Sequence, residues 1–343
     1  MSIENDNSSK RPTIYDIAAL AGTSASAVSS VLNGSWKKRR ISQKLADRIN
    51  VIAEEQGYSV NIQASVLRRV RSNIIGMIIP KYDNRYFGAI AEQFEIMART
   101  KGLFPVITCT QRDPELEVAA AKELLSYQVD SLICTGATDP DRISALCAAA
   151  GVRTLNLDLP GSQAVSVISD NYGGAHQLTH LILNRRQTEL DAKDALIFVG
   201  GRASDHNTAE RIRGFIAAHD DQGIDVPADN IRACGYAADK AAAVLQELGP
   251  ALAKGVFVNS TISLEGVVSW LSKLTLTEKR DIRIGCFDWD PFAALLPENV
   301  GMVQQDVPRM LNQAFELLKA PTSPGQPTHI PCILNELNAP PSA

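Results

Sequence analysis

Acidic and amide side chains stand in this chain where apolar runs break off. Asp83-Asn84-Arg85-Tyr86-Phe87 comes shortly after Ile74–Ile79, Asp158 directly follows Thr154–Leu157, Asn259 follows Val256–Val258, and Asp288 follows Ile282–Phe287. Carboxylates and amides accept the hydrogens of paired hydroxyls, and a neighbouring aromatic ring stacks on a sugar face. Such a set suits a polyhydroxylated small molecule. Each residue taken alone is also an ordinary helix cap or surface charge. A second chemistry is offered by the run Lys37-Lys38-Arg39-Arg40, which suits phosphate or groove-edge contact. A third is weaker. His176 and His180 lie four apart on a helical pattern and could share a metal, but no third ligand is evident and a surface or interface role is preferred. No metal and no cofactor are expected. Strand-end aspartates and Gly200-Gly201 would also fit a nucleotide- or sugar-processing enzyme. Against that, the chain has no Gly-Lys-Ser/Thr phosphate loop and no nucleophile elbow.

The elements that must hold these groups alternate. Strands are predicted at Ile74–Ile79, Pro105–Cys109, Ser131–Thr135, Thr154–Leu157, Val165–Ile168, Ala195–Val199, Ile231–Cys234, Val256–Val258, Ile282–Phe287 and Val300–Val303, with helices in most of the gaps. Alternation of this kind gives parallel sheets with helices on both faces. About 250 residues exceed what one open sheet needs, so two doubly wound α/β lobes are expected, with a cleft at the carboxyl ends of the strands.

Before the first strand the pattern is all-α. Thr13 can cap a helix with Asp16 completing a capping box, and Ile14, Ile17, Ala18 and Ala21 share one face. Gly22 supplies a turn, Ser24 caps a second helix with Ala27, Val28, Val31 and Leu32 on its inner face, and Asn33-Gly34 ends it. This is the outline of a helix-turn-helix, whose second helix enters a DNA major groove. A third helix runs from Lys44 to Glu55, Gly57-Tyr58 closes it, and a short fourth is predicted from Asn61 to Leu67.

Charge is distributed accordingly. Residues 10–71 hold eleven Lys and Arg against four Asp and Glu, a local +7 that leaves −11 for the rest of a 343-residue chain whose total is −4. A basic head on an acidic body fits a nucleic-acid module joined to something that need not touch DNA. Met1–Lys10 is polar, and no run of about 18 apolar residues occurs, so neither a signal peptide nor a membrane span is expected, and the location implied is cytoplasmic. The cysteines at 109, 134, 147, 234, 286 and 332 show no paired spacing, as in a reducing compartment.

The order Tyr15-Asp-Ile-Ala, Val28-Ser-Ser-Val-Leu-Asn-Gly34, Gly57-Tyr58, Asn61, Ala64, Leu67 and Ile75-Gly76 resembles the lactose-repressor family of bacterial transcription regulators, from about Arg11 to about Leu334. The loop Ser35–Arg40 and the blocks Asp83–Phe87 and Thr110–Asp113 are similar to the fructose and catabolite repressor branch. The resemblance implies a helix-turn-helix domain at 11–59, a hinge at 60–72 and a periplasmic-binding-protein-like body at 73–343. Its first lobe would take about 73–170 plus 305–321, and its second about 171–304 plus 322–338. The chain would cross between them near Asp170, Gln304 and Pro321.

It also implies residue roles. Ala25, Ser26 and Ser30 would face bases, where small side chains specify weakly. Tyr15, Thr23 and Ser29 would serve phosphates, joined by Lys37, Lys38, Arg39 and Arg40. Asn61, Ala64 and Leu67 would form the hinge contact, with Leu67 wedging the minor groove. Val60 and Ser65 depart from the proline and arginine common at those places. In the cleft, Tyr86, Phe87, Asp158, Asp205, Asn207, Arg211, Tyr236, Asn259 and Asp288 would bind the effector. One cation, Arg211, is expected against Asp158, Asp205 and Asp288, with Arg85 or Arg202 able to swing in. Leu159 stands where many relatives carry arginine. The partners implied are an operator in double-stranded DNA, a second copy of the chain, with tetramers open, and an unphosphorylated sugar, fructose-like at first guess. The function implied is sugar-responsive repression. A sugar phosphate or non-sugar effector, or an activator, stays open, and a sugar-modifying enzyme with a DNA head is the distant alternative.

Overall fold

The computed structural model describes residues 12–58, 71–185, 195–319 and 324–338, and the chain divides into a head, residues 1–72, and a body, residues 73–343.

In the head, α1 (Ile14–Leu20), α2 (Ala25–Leu32) and α3 (Gln43–Glu55) close around Ile17, Ala21, Val28, Val31, Ala46 and Ile49. The Thr13 amide donates to the Asp16 carboxylate at 2.7 Å, and the Asp16 amide donates back to the Thr13 hydroxyl at 3.4 Å, which is the reciprocal cap the sequence implies. Ser24 and Ser42 cap α2 and α3 by accepting from the amides of Ala27 and Leu45. Gly22 turns the chain at φ +61°, a left-handed conformation that costs an L side chain roughly 1–2 kcal/mol.

The body begins with β1 (Ile74–Ile79), α4 (Arg85–Thr100), β2 (Phe104–Cys109), α5 (Pro114–Ser126), β3 (Ser131–Thr135), α6 (Pro140–Ala149), β4 (Arg153–Leu157) and β5 (Val165–Ser169). It continues with α7 (Asn171–Asn184), β6 (Ile197–Val199), α8 (His206–Asp220), β7 (Ile231–Arg232), α9 (Ala238–Leu252), β8 (Gly255–Val258), α10 (Thr261–Leu271), α11 (Leu276–Lys279), β9 (Arg283–Phe287) and β10 (Asn299–Gln304). It ends with α12 (Val307–Lys319), β11 (Thr328–Ile330) and β12 (Ile333–Glu336).

Two sheets result. The first has the order β11-β5-β4-β3-β1-β2 and is parallel throughout. The second has the order β12-β10-β9-β8-β6-β7 and is parallel except where β12 runs against β10. Strands such as β1, apolar at nearly every position, are those that helices cover on both faces. In the first lobe Phe94 of α4 stacks on Phe315 of α12, with ring centroids 6.0 Å apart. In the second, the rings of Phe198, Phe215 and Phe257 form one cluster. Helices α7 and α8 pack closely, because a Cβ at Gly214 would land on the Tyr172 carbonyl.

The chain passes from the first sheet to the second after β5 at Asp170, and back toward the first after β10 at Gln305. The third crossing is not near Pro321. β11 pairs in parallel with β5, Thr328 against Val167, so the first lobe keeps the chain to Ile330 and the crossing falls at Pro331–Cys332. The described part of the loop-rich stretch 321–327, Pro324–Pro327, leads into β11 and so belongs to the first lobe. Its composition marked a break in regular structure, which is not the same thing as a change of lobe. β7 is also shorter than expected. The chain turns after Arg232, where the Cys234 amide donates to the Arg232 carbonyl at 2.8 Å.

Candidate ligand cleft and nucleic-acid-facing head

Both lobes send the carboxyl ends of their strands into a cleft with a cavity of about 1990 Å³, open to solvent. That exceeds the roughly 300–1,000 Å³ of a pocket that encloses a small ligand, so a sugar-sized molecule would occupy only part of it.

Each lobe contributes one carboxylate in the same way. Asp158 follows β4 with φ +74°, and Asp288 follows β9 with φ +75°. Non-glycine residues rarely take that backbone, and its concentration at functional sites is a recognised use of strain. Both side chains are buried. Asp158 accepts from the Tyr86 hydroxyl at 3.0 Å and from the Asn207 amide at 3.1 Å, and Asp288 accepts from the Gln305 amide at 2.6 Å. Burial raises the pKa of both above the usual carboxylate range. Arg112 and Arg211 oppose this at Asp158, and Arg211 and Gln305 oppose it at Asp288. Burial, with Asp158 beside it, holds the Tyr86 phenol well above its ordinary value.

Arg211 stands behind the two carboxylates. Its guanidinium donates to the Asn171 side chain at 2.8 Å and to the Asn259 carbonyl at 2.5 Å, and lies 3.6 Å from the centroid of the Phe287 ring. Asn171 in turn donates to Asn207 at 3.1 Å, so the first turns of α7 and α8 are tied together at the cleft. Tyr236 shares a hydrogen bond with Thr208 at 3.1 Å. Phe87 is mostly buried in the core of the first lobe, 5.1 Å from the Tyr86 ring, and still lines the cleft. Asp205 precedes α8 without capping it, and one of its carboxylate oxygens is buried with no partner among the described residues. Of the expected set only Asn259 fails to line the cleft. Its side chain is fully buried, and neither its amide nitrogen nor its oxygen has a partner among the described residues.

The count of cations differs from the sequence expectation. Arg112 lies 5.7 Å from the Phe87 centroid and 5.8 Å from that of Tyr236, and Arg202 also lies 5.8 Å from the Tyr236 centroid. Arg211 is thus not alone. Arg85 reaches across the cleft mouth to Asp290 of the other lobe at 2.7 Å. Sequence reasoning missed Asn171, Gln305 and Arg112. The first two sit beside the places, near Asp170 and Gln304, where the sequence puts crossings between lobes, and Arg112 sits in the block Thr110–Asp113 that it singled out. The structure also brings Asp221 to both His176 and His180, with Oδ2 2.8 and 3.0 Å from their Nε2 atoms.

On the head, Tyr15 is 74% exposed, Ser26 is exposed, and Thr23, Ala25 and Ser29 are half-buried. Ser30 is buried and donates to the Ser26 carbonyl at 2.8 Å, so its hydroxyl is turned into the head rather than outward. Lys37, Lys38, Arg39 and Arg40 are all exposed, and the Arg39 guanidinium reaches the Ser26 hydroxyl at 3.5 Å. Asn61, Ala64 and Leu67 lie outside the described residues.

Residues 13–61 match the model described as bacterial regulatory proteins, lacI family, and residues 75–321 match the periplasmic binding protein domain. The chain belongs to the lacI family of bacterial regulatory proteins. Among its relatives in that family, the ribitol operon repressor of Klebsiella aerogenes is 64% identical over 193 residues, 56% of this chain and 72% of the relative. The sucrose operon repressor of Klebsiella pneumoniae is 28% identical over 324 residues, 90% and 92% of the two chains. The family fold is seen in the lac repressor dimer bound to operator and the anti-inducer ONPF, with a TM-score of 0.78, 20% identity, and coverage of 96% of this chain and 99% of that one. As a lacI-family member the chain is a DNA-binding transcription regulator. None of its helices among the described residues is long and apolar enough to cross a membrane.

Proposed function

We propose that this regulator represses genes for the use of a five-carbon polyol and is governed by an unphosphorylated polyol or by the ketose that its oxidation gives. The single observation that carries the reading is the pair Asp158 and Asp288. There is one buried carboxylate at a strand end of each lobe, both hydrogen-bonded on one side and flanked by Arg211. A chain of hydroxyls donates to both and so prefers the lobes at one spacing, which is the differential interaction an effector needs to shift a two-state protein. The carbon number comes from likeness to a ribitol operon repressor, in place of the fructose-like first guess.

Two heads, each presenting Tyr15, Thr23, Ala25, Ser26 and Ser29 with the basic run 37–40, would read a pseudopalindromic operator as a dimer. Asn61, Ala64 and Leu67 would complete the contact in the minor groove. Effector in the cleft and operator at the head then change each other's affinity reciprocally.

A second reading has specific support. Arg112 and Arg202 at Tyr236 offer cationic charge to an anionic end of a ligand, which favours a phosphorylated ketose. Calorimetric titration of ribitol, the corresponding pentulose, fructose and fructose 1-phosphate into the purified protein separates the two. Binding of a neutral five-carbon compound, with release of labelled operator, supports the first reading. Binding confined to the phosphate overturns it in favour of the second.

A further inference from the structure

We propose that His176, His180 and Asp221 form a binding site for a divalent transition-metal ion, zinc in the first instance, on the outer face of the second lobe. Residues four apart on a helix project from one face, and the two histidines use that spacing on α7. Their Nε2 atoms converge on a single point. His176 Nε2 lies 2.8 Å and His180 Nε2 3.0 Å from the same oxygen, Oδ2 of Asp221, at the end of α8. The three donor atoms all fall within 4.8 Å of one another. The rings are already set for this, with centroids 4.6 Å apart and planes at 72°, and Tyr172 stacks on His176 from the preceding turn at 6.0 Å.

Two imidazoles and one carboxylate are the ligand types that borderline ions such as Zn²⁺ take, at about 2.0–2.2 Å with a water in the fourth place. The histidine side chains are 29% exposed and that of Asp221 is 55% exposed. An ion can therefore enter, and the carboxylate can draw back to admit it between itself and the rings. His180 also has an outer partner. The Gln222 amide nitrogen lies 3.4 Å from its Nδ1 and donates to the Asn184 side-chain oxygen at 3.2 Å; with both amides turned over, the Gln222 oxygen would accept a hydrogen bond from Nδ1–H, leaving Nε2 free for the metal.

The site lies on the same two helices whose first two turns hold Asn171, Asn207 and Arg211 at the cleft. The helices run side by side away from the cleft, in contact at Gly214, and the histidine–aspartate group joins them again farther along. A bound ion there would staple α7 to α8 and stiffen the part of the second lobe that carries Arg211.

The test is calorimetric titration of Zn²⁺ into untagged, metal-free, full-length protein, repeated on His176→Gln, His180→Gln, Asp221→Asn and Gln222→Ala. One ion per chain is expected, with affinity reduced by more than about 100-fold in the three ligand variants and by about tenfold at Gln222, the scale of losing an outer-shell partner. Melting of each variant without metal checks that it folds. Co²⁺ substitution checks the donors, since a site of imidazole and carboxylate gives no thiolate charge-transfer band, whereas the free cysteines would. Failure of the parent to bind, undiminished binding in folded ligand variants, or a thiolate band would each overturn the assignment.

Discussion

Replacing Asp158 by asparagine should separate what the residue does for binding from what it costs the fold. The change keeps the shape and leaves one oxygen to accept from both Tyr86 and Asn207, which lie 3.0 and 3.1 Å from the same carboxylate oxygen. It removes a buried negative charge whose pKa burial raises. A hydrogen bond to a charged group is worth roughly 1.5–3 kcal/mol against about 1 for a neutral one. If a ligand hydroxyl donates to Asp158, losing the charge should weaken effector binding by roughly 1–2 kcal/mol, which is about 5- to 30-fold. The unliganded protein should melt no lower than the parent, because the desolvation of a carboxylate is relieved while Asp288 still faces Arg211. The double variant with Asp288→Asn should reverse that gain, since Arg211 then stays buried without either anion. Calorimetry for the effector, thermal melting for the fold and fluorescence anisotropy for operator binding read the three quantities separately. Parental effector affinity in a folded Asp158→Asn protein would refute the placement of the ligand. A large drop in melting temperature without loss of binding would show that the carboxylate is structural.

Acidity, salt and the hinge give three further expected outcomes. Effector affinity should fall on acidification earlier than a carboxylate of ordinary pKa, about 3.9, allows. Asp158 and Asp288 both have raised values in the folded protein, so protonation removes their acceptor charge while the unliganded fold gains stability as pH drops through that range. Affinity that stays constant down to the ordinary carboxylate range would contradict this. Changing Lys37, Lys38, Arg39 and Arg40 together to alanine should flatten the salt dependence of operator binding by about 0.9 in log–log slope for each phosphate no longer neutralised. An unchanged slope would mean that the exposed loop stays solvated. Leu67→Ala should weaken operator binding at fixed salt and leave effector affinity at its parental value, and equal operator affinity would remove the wedge from the account.

The features legible in the sequence were those whose cause is local. The cap at Thr13 and Asp16, the turn at Gly22 and the buried run of β1 each arise within a few residues, and each was read correctly. Asp158 and Asp288 were legible because a carboxylate at the end of a strand in an α/β lobe is aimed at the cleft. What escaped was set by contacts between distant parts of the chain. β11 and β12 are three and four residues long and lie between prolines, and their partners β5 and β10 give them their strand character. Asp221 is 45 residues beyond His176, and only the packing of α8 on α7 brings it there. Arg112 looks like a surface charge until its neighbours Phe87 and Tyr236 are in place. Ser30 was given a base-facing role by resemblance alone, and its burial depends on how α2 packs in the head.

The late position of β11 and β12 bears on how the protein is made. Each is the outermost strand of its sheet, and they are separated only by Pro331 and Cys332. As the nascent chain leaves the ribosome, neither lobe has its last strand until residue 330 or 336 is out, although most of the residues of both cores have long since emerged. Until then β5 and β10, both largely buried in the finished protein, offer unpaired backbone at an open border, the kind of surface through which half-made chains associate with each other. A premature stop shortly before Thr328 would therefore leave two sticky sheets rather than one trimmed tail, and the two lobes are completed almost in the same moment of synthesis.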